Sequence, residues 1–185
     1  DIFAGLDVDK RSISVTFTNH QGFIRSLRMP YDVEHLLNHV RKHFRDQKVA
    51  FAYEAGPTGY GLYDGLVAQA YPCLVAAPSM IPKAPGQRVK TNRLDSRSLS
   101  ENLRGGQLKS IHVPSPVYRE FRHLTQLRDT FVGEMVGMKL RIKSLLLFEG
   151  IEFPPAPAGS QWSFLVKAKL RKLACSKSVR FKLDQ

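Results

Sequence analysis

Three carboxylates, Asp7, Glu54 and Asp95, stand where apolar runs give way to turn residues or where a helix begins. Asp7 interrupts the run Ile2-Phe3-Ala4-Gly5-Leu6-Asp7-Val8, and Glu54 ends the stretch Lys48-Val49-Ala50-Phe51-Ala52-Tyr53-Glu54. Acidic side chains are almost never fully buried without a partner, so both patterns predict groups that buried strands deliver to a site. The chemistry would be that of a hard divalent cation, magnesium or manganese, which takes oxygen ligands. Ions held between carboxylates orient a phosphate, activate a water or hydroxyl for in-line attack and neutralise the leaving oxygen. Without cations, gathering these acids is costly. Asp95 alone also reads as a helix N-cap.

The elements that must position these groups follow from periodicity. Strands are predicted over 2–8, 12–18 and 23–29, joined by charged and Asn/Gly turns into a meander. Asp32 then caps a helix over 33–44, followed by a strand over 48–54, a helix over 60–70 and a strand over 73–77. Short connections and right-handed crossovers turn this order into an α/β architecture: a mixed five-stranded sheet flanked by helices, with the first strand central beside the fourth. Asp7 and Glu54 become neighbours in that arrangement.

A Pro- and Lys/Arg-rich loop over 78–91 precedes a helix over 95–104. Ser115 and Pro116 then open a helical pattern that Gly150 stops. Leu124, Phe131, Met138 and Leu145 recur every seven residues in it, with Met135 and Ile142 on the adjoining seam and Arg128 breaking one position. That is a coiled-coil pattern, and a homodimer is expected through it. Beyond a Pro/Ala/Gly linker, Trp162 leads into a basic stretch that is expected to open a further, truncated domain, with Trp162 as its core anchor.

Of the 185 residues, 28 are Lys or Arg and 16 Asp or Glu, a formal charge of +12. Residues 1–79 hold eight of each sign, so the whole surplus lies in 80–185. A neutral body with a cationic remainder fits a phosphate-backbone partner. Lys83, Arg88, Lys90, Arg93 and Arg97, flanking the acids, are the expected nucleic-acid contacts. No window approaches the roughly 18 apolar residues of a bilayer span, no disulfide framework or zinc site is supported by two distant cysteines, and a reducing cytosol is the expected location. His35, His39 and His43 fall on a face predicted to be solvated, and Gly56, Gly59 and Gly61 match neither phosphate-loop spacing, reading as a tight turn that orients Glu54.

The strings Gly5-Leu6-Asp7-Val8-Asp9-Lys10, Tyr53-Glu54-Ala55-Gly56-Pro57-Thr58-Gly59-Tyr60-Gly61, Ala77-Pro78-Ser79-Met80-Ile81-Pro82 and Arg88-Val89-Lys90-Thr91-Asn92-Arg93-Leu94-Asp95 closely resemble the DEDD transposases of bacterial insertion sequences, the bridge-RNA-guided recombinases that include the Piv DNA invertase. The resemblance implies a RuvC-like domain of ribonuclease H fold over 1–112, a coiled-coil helix over 113–150, and over 151–185 a linker and the basic start of a C-terminal domain whose serine is the nucleophile. It implies magnesium-dependent DNA cleavage and exchange, with a structured guide RNA and DNA as partners. Asp7, Glu54 and Asp95 match the first, second and fourth acids, while the third falls on Asn92. An Asn brings a carbonyl oxygen but no charge, so either the site is weakened or a neighbour such as Asp9 compensates. The alternatives are a catalytically impaired nucleic-acid-binding remnant and a RuvC-like nuclease. An actin-like or sugar-kinase ATPase shares the Gly-Leu-Asp opening but needs a second glycine-rich phosphate loop, which the sequence lacks.

Overall fold

Alternation along β2 (Ser12–Asn19) sends Ile13, Val15 and Phe17 to one side of the sheet and Ser14, Thr16 and Thr18 to the other, as the period of two in a strand requires. All six are buried, so both faces are covered. The computed structural model describes residues 1–82, 92–156 and 161–184. β1 (Ile2–Val8) and β3 (Gly22–Pro30) flank β2 in an antiparallel meander, and the Asn19 carboxamide oxygen accepts from the Gln21 and Gly22 amides at the turn. α1 (Val33–His43), capped by the Asp32 carboxylate, leads to β4 (Val49–Glu54), α2 (Gly61–Ala68) and β5 (Cys73–Ala76). The strand order is β3-β2-β1-β4-β5, with β1 central and parallel to β4, as the element order predicts.

The two faces differ in chemistry. On the first, Ile2, Leu6, Val15, Phe17, Phe51 and Tyr53 pack with Leu36, Leu37 and Val40 of α1 and Leu62 and Leu66 of α2. Each such fully buried side chain contributes about 1.5–3 kcal/mol. On the second lies α3 (Asn92–Arg104), seated mainly on small groups. The Thr16 hydroxyl bonds that of Ser96 at 2.9 Å, Thr18 bonds Ser100 at 2.8 Å, and the Ser100 hydroxyl also reaches the Phe3 carbonyl at 2.8 Å. A Cβ on Gly5 would lie 2.2 Å from the Ser96 carbonyl oxygen and 2.3 Å from the Ser100 amide nitrogen. Only glycine lets the helix backbone rest on β1 at this point.

α3 begins three residues before the predicted start, because Asn92, Arg93 and Leu94 lack the spaced apolar residues by which a helix is recognised. Asp95 is therefore in the first turn rather than at a cap, where the N-terminal dipole still favours a negative charge. The histidine stripe also departs from expectation. His39 stacks on Phe17 with ring centroids 5.7 Å apart and is partly covered, and burial lowers its pKa, so this face of α1 is not fully solvated.

The described residues form two compact units, Asp1–Pro114 and Ser115–Gln185. In the second, α4 (Pro116–Phe148) is about 50 Å long at 1.5 Å per residue, and Gly150 ends it with a φ of 68°. Its last turns pack with α5 (Phe164–Arg171) and α6 (Lys177–Leu183) around Leu146, Val166 and Leu170. Trp162 lies edge-on to Phe153 within that cluster, and Arg180 donates to the Leu170 and Leu173 carbonyls, tying α6 to the end of α5. Leu124 and Phe131, on the heptad seam, remain 64% and 59% exposed. Among the described residues no helix is long and apolar enough to cross a membrane.

Candidate functional site

The register of the parallel pair ends at Leu6 opposite Tyr53, which leaves Asp7 and Glu54 side by side at the carboxyl ends of the two strands. Parity puts both on the α3 side, since Leu6 and Tyr53 point into the opposite core. The first turn of α3 brings Asp95 to the same edge. The Asp7 pKa is raised to about 6, first by burial and then by the negative charges of Asp95, Asp9 and Glu54, with the Arg28 guanidinium acting in the opposite sense. Three acids thus act on Asp7, which is partly buried, while Glu54 is exposed.

Asp9 sits just past β1, its amide nitrogen bonded to the Ser12 carbonyl at 2.9 Å. Its Oδ2 accepts from Asn92 Nδ2 at 2.7 Å, and Arg28 Nη2 stands 3.8 Å away. Arg28 also donates to the Ser12 hydroxyl through Nε at 3.0 Å and Nη2 at 2.8 Å. Sequence reasoning missed Arg28, although the meander register pairs it with Ser14, and Ser14 with Asp7, in one row on one face. Arg28, Asn92 and Arg93 line a groove of about 490 Å³ with the hydroxyls of Ser14, Ser26 and Ser96.

Of the other predicted contacts, Arg97 is engaged elsewhere. Its Nε bonds Glu101 at 2.8 Å and its guanidinium lies 5.4 Å from the Phe23 ring centre, at the end of β3 remote from Arg28. Lys83, Arg88 and Lys90 lie outside the described residues. The turn after Glu54 is pinned to its own strand, with the Tyr53 hydroxyl donating to the Gly59 carbonyl at 3.2 Å and Gly59 at a φ of 67°.

Among the described residues no three His, Cys, Asp or Glu side chains stand close enough to grip an ion as they are. Carboxylates without a cation repel, by about 4 kcal/mol per pair at 4 Å and an effective dielectric constant of 20. The donor set itself, all carboxylate oxygen with an amide at its edge, fits a hard divalent ion rather than a soft one.

The raised Asp7 pKa has a signed consequence. The unfolded chain ionises this group near pH 4, whereas the fold does so only near pH 6. Folding is therefore favoured while Asp7 is protonated, and this contribution is lost as pH rises through 6. With divalent ions chelated, the melting temperature of Asp7→Asn is expected to gain on that of wild type as pH rises from about 4 through 6, the His39 contribution being common to both. Equal slopes for the two proteins would contradict the burial of this carboxylate.

Residues 4–149 match the profile of the DEDD transposases of IS110-type insertion sequences. The chain is 35% identical over 161 residues to transposase y4qE of Sinorhizobium fredii and 24% identical over 159 residues to the transposase for insertion sequence element IS1533 of Leptospira borgpetersenii. Each alignment covers 83% of this chain, but 40% and 46% of those proteins, so the chain spans less than half of their length. With the acids already placed at the ends of β1 and β4 and on α3, the match over most of its length makes this chain a member of the DEDD transposase family of IS110 insertion sequences.

Proposed function

We propose that the Asp1–Pro114 unit is the RuvC-like, ribonuclease H-type catalytic domain of an insertion-sequence transposase, acting by divalent-ion-dependent cleavage and exchange of DNA strands. What supports this reading is that Asp7 and Glu54 end adjacent parallel strands, where open α/β sheets place their ligands, and that the Asp95 charge on α3 acts on Asp7. Asp7, Glu54 and Asp95 would hold the cation, magnesium or manganese. When bound, it supplies charge neutralisation and orientation to a phosphodiester. Arg28 and Arg93, with Lys83, Arg88 and Lys90 outside the described residues, offset the charge of the acids and contact the DNA backbone. Arg97, held by Glu101 and Phe23, is left out of this role.

The serine nucleophile would belong to a part of the protein beyond these 185 residues, which the greater length of the relatives leaves room for. The exposed heptad seam of α4 supports a homodimer through a coiled coil, and the basic stretch from Lys167 to Lys182 supports contact with DNA or a structured guide RNA. The 151–185 segment would begin the C-terminal domain.

The test is strand cleavage of insertion-sequence end DNA by the full-length protein, with magnesium and with chelator. Chelation is expected to abolish cleavage and added magnesium or manganese to restore it. Calcium should support DNA binding with little turnover. Undiminished cleavage in chelator would refute the reading.

A further inference from the structure

The position that the family fills with its third acid is Asn92 here, and the structure supplies an answer to the missing charge. We propose that Asp9 is the replacement carboxylate of the cation site and that Asn92 is a positioning residue that holds it there. The inference rests on the cation site proposed above and concerns which of this chain's own oxygens complete it.

Asn92 Nδ2 donates to Asp9 Oδ2 at 2.7 Å, across 83 residues of sequence. An asparagine that commits its amide nitrogen to a carboxylate is orienting that carboxylate. An ionised carboxylate offers about four lone-pair sites; with Asn92 and Arg28 both on Oδ2, it is Oδ1 that is left to face an ion. The backbone of Asp9 is fixed as well, through its amide nitrogen on the Ser12 carbonyl. The carboxylate at the exit of β1 thus faces the amide at the start of α3, and with Asp7, Glu54 and Asp95 it makes four acids. Arg28, 3.8 Å from Asp9 and held by Ser12, partly balances that charge when no cation is present.

The experiment measures Mn²⁺ binding by electron paramagnetic resonance titration, with Mg²⁺ competition, on full-length protein. Wild type is compared with Asp7→Ala, Asp9→Asn, Asn92→Ala, the double variant Asp9→Asn/Asn92→Ala and the exchange variant Asp9→Asn/Asn92→Asp, with melting curves in chelator as the check on folding. Asp9→Asn is expected to weaken binding by about 10- to 100-fold, the loss usual for a ligand or its support. The exchange variant, which restores one acid and one amide in facing positions, is expected to return to within about threefold of wild type. Asn92→Ala should weaken binding alone and add little to Asp9→Asn, because its effect passes through Asp9. Wild-type affinity in Asp9→Asn, or an exchange variant that folds normally and stays as weak as Asp9→Asn, would overturn this inference while an Asp7-dependent site still stood. Failure of the wild type to bind, or wild-type affinity in Asp7→Ala, would overturn the cation site itself.

Discussion

Replacing Asp7 by alanine in the full-length protein is expected to reduce divalent-ion-dependent strand cleavage by at least about a thousandfold, or ~4 kcal/mol in transition-state stabilisation. The effect should exceed that of the same change at Glu54. Asp7 lies on the central strand, is partly buried and feels the charges of Asp95, Asp9 and Glu54, whereas Glu54 is exposed. A second readout separates loss of chemistry from loss of fold. The substitution removes a carboxylate that burial and like charges make costly to ionise, so above pH 6 the metal-free protein should melt at a temperature equal to or higher than wild type. Single-turnover cleavage and melting curves in chelator measure the two. Cleavage unchanged in a normally folded Asp7→Ala protein would remove Asp7 from the site.

Gly5→Ala is expected to be the most damaging one-carbon change in the Asp1–Pro114 unit. The added carbon would stand 2.2–2.3 Å from two backbone atoms of α3, against the 3.5–4.0 Å of ordinary contact. Backbone cannot rotate out of the way as a side chain can, so α3 must lift as a body. Overpacking of this kind costs about 1–3 kcal/mol and occasionally more. Lifting α3 also stretches the Thr16–Ser96 and Thr18–Ser100 bonds and withdraws Asn92 and Asp95 from β1. Urea unfolding and Mn²⁺ titration should therefore deteriorate together. A stable Gly5→Ala protein with intact ion binding would show that α3 is seated more loosely than described.

The sheet was legible because its signals are local. Ile13, Val15 and Phe17 alternate, Asp32 caps the first helix, and the order of elements dictates that β1 lies between β2 and β4. Asp7 and Glu54 were legible for the same reason, since each is a charge at the end of an apolar run. The second face of the sheet was not. Ser14, Thr16 and Thr18 have the composition of a solvated face, and nothing local reveals that Ser96 and Ser100, some eighty residues later, cover them. His39 was misplaced because it falls on the side of the helix away from Val33, Leu36, Leu37, Val40 and Phe44, while Phe17 on a neighbouring strand supplies a ring to stack on. The bond between Asn92 and Asp9 and the place of Arg28 depend on tertiary closure and register, which spacing along the chain does not encode. Arg97 pairs instead with a purely local partner, Glu101 one turn on, which spacing toward the acids did not weigh.

The hydroxyl row under α3 also restricts how this segment can vary in length. Asn92, Ser96 and Ser100 recur every four residues, so one stripe both docks the helix and aims the amide at Asp9. Inserting or deleting a single residue between Asn92 and Ser96 would turn one end against the other by about 100°, and no local repacking could restore both contacts. Substitutions on the outward side of this helix leave both contacts in place, whereas an insertion or deletion between Asn92 and Ser96 breaks one of them.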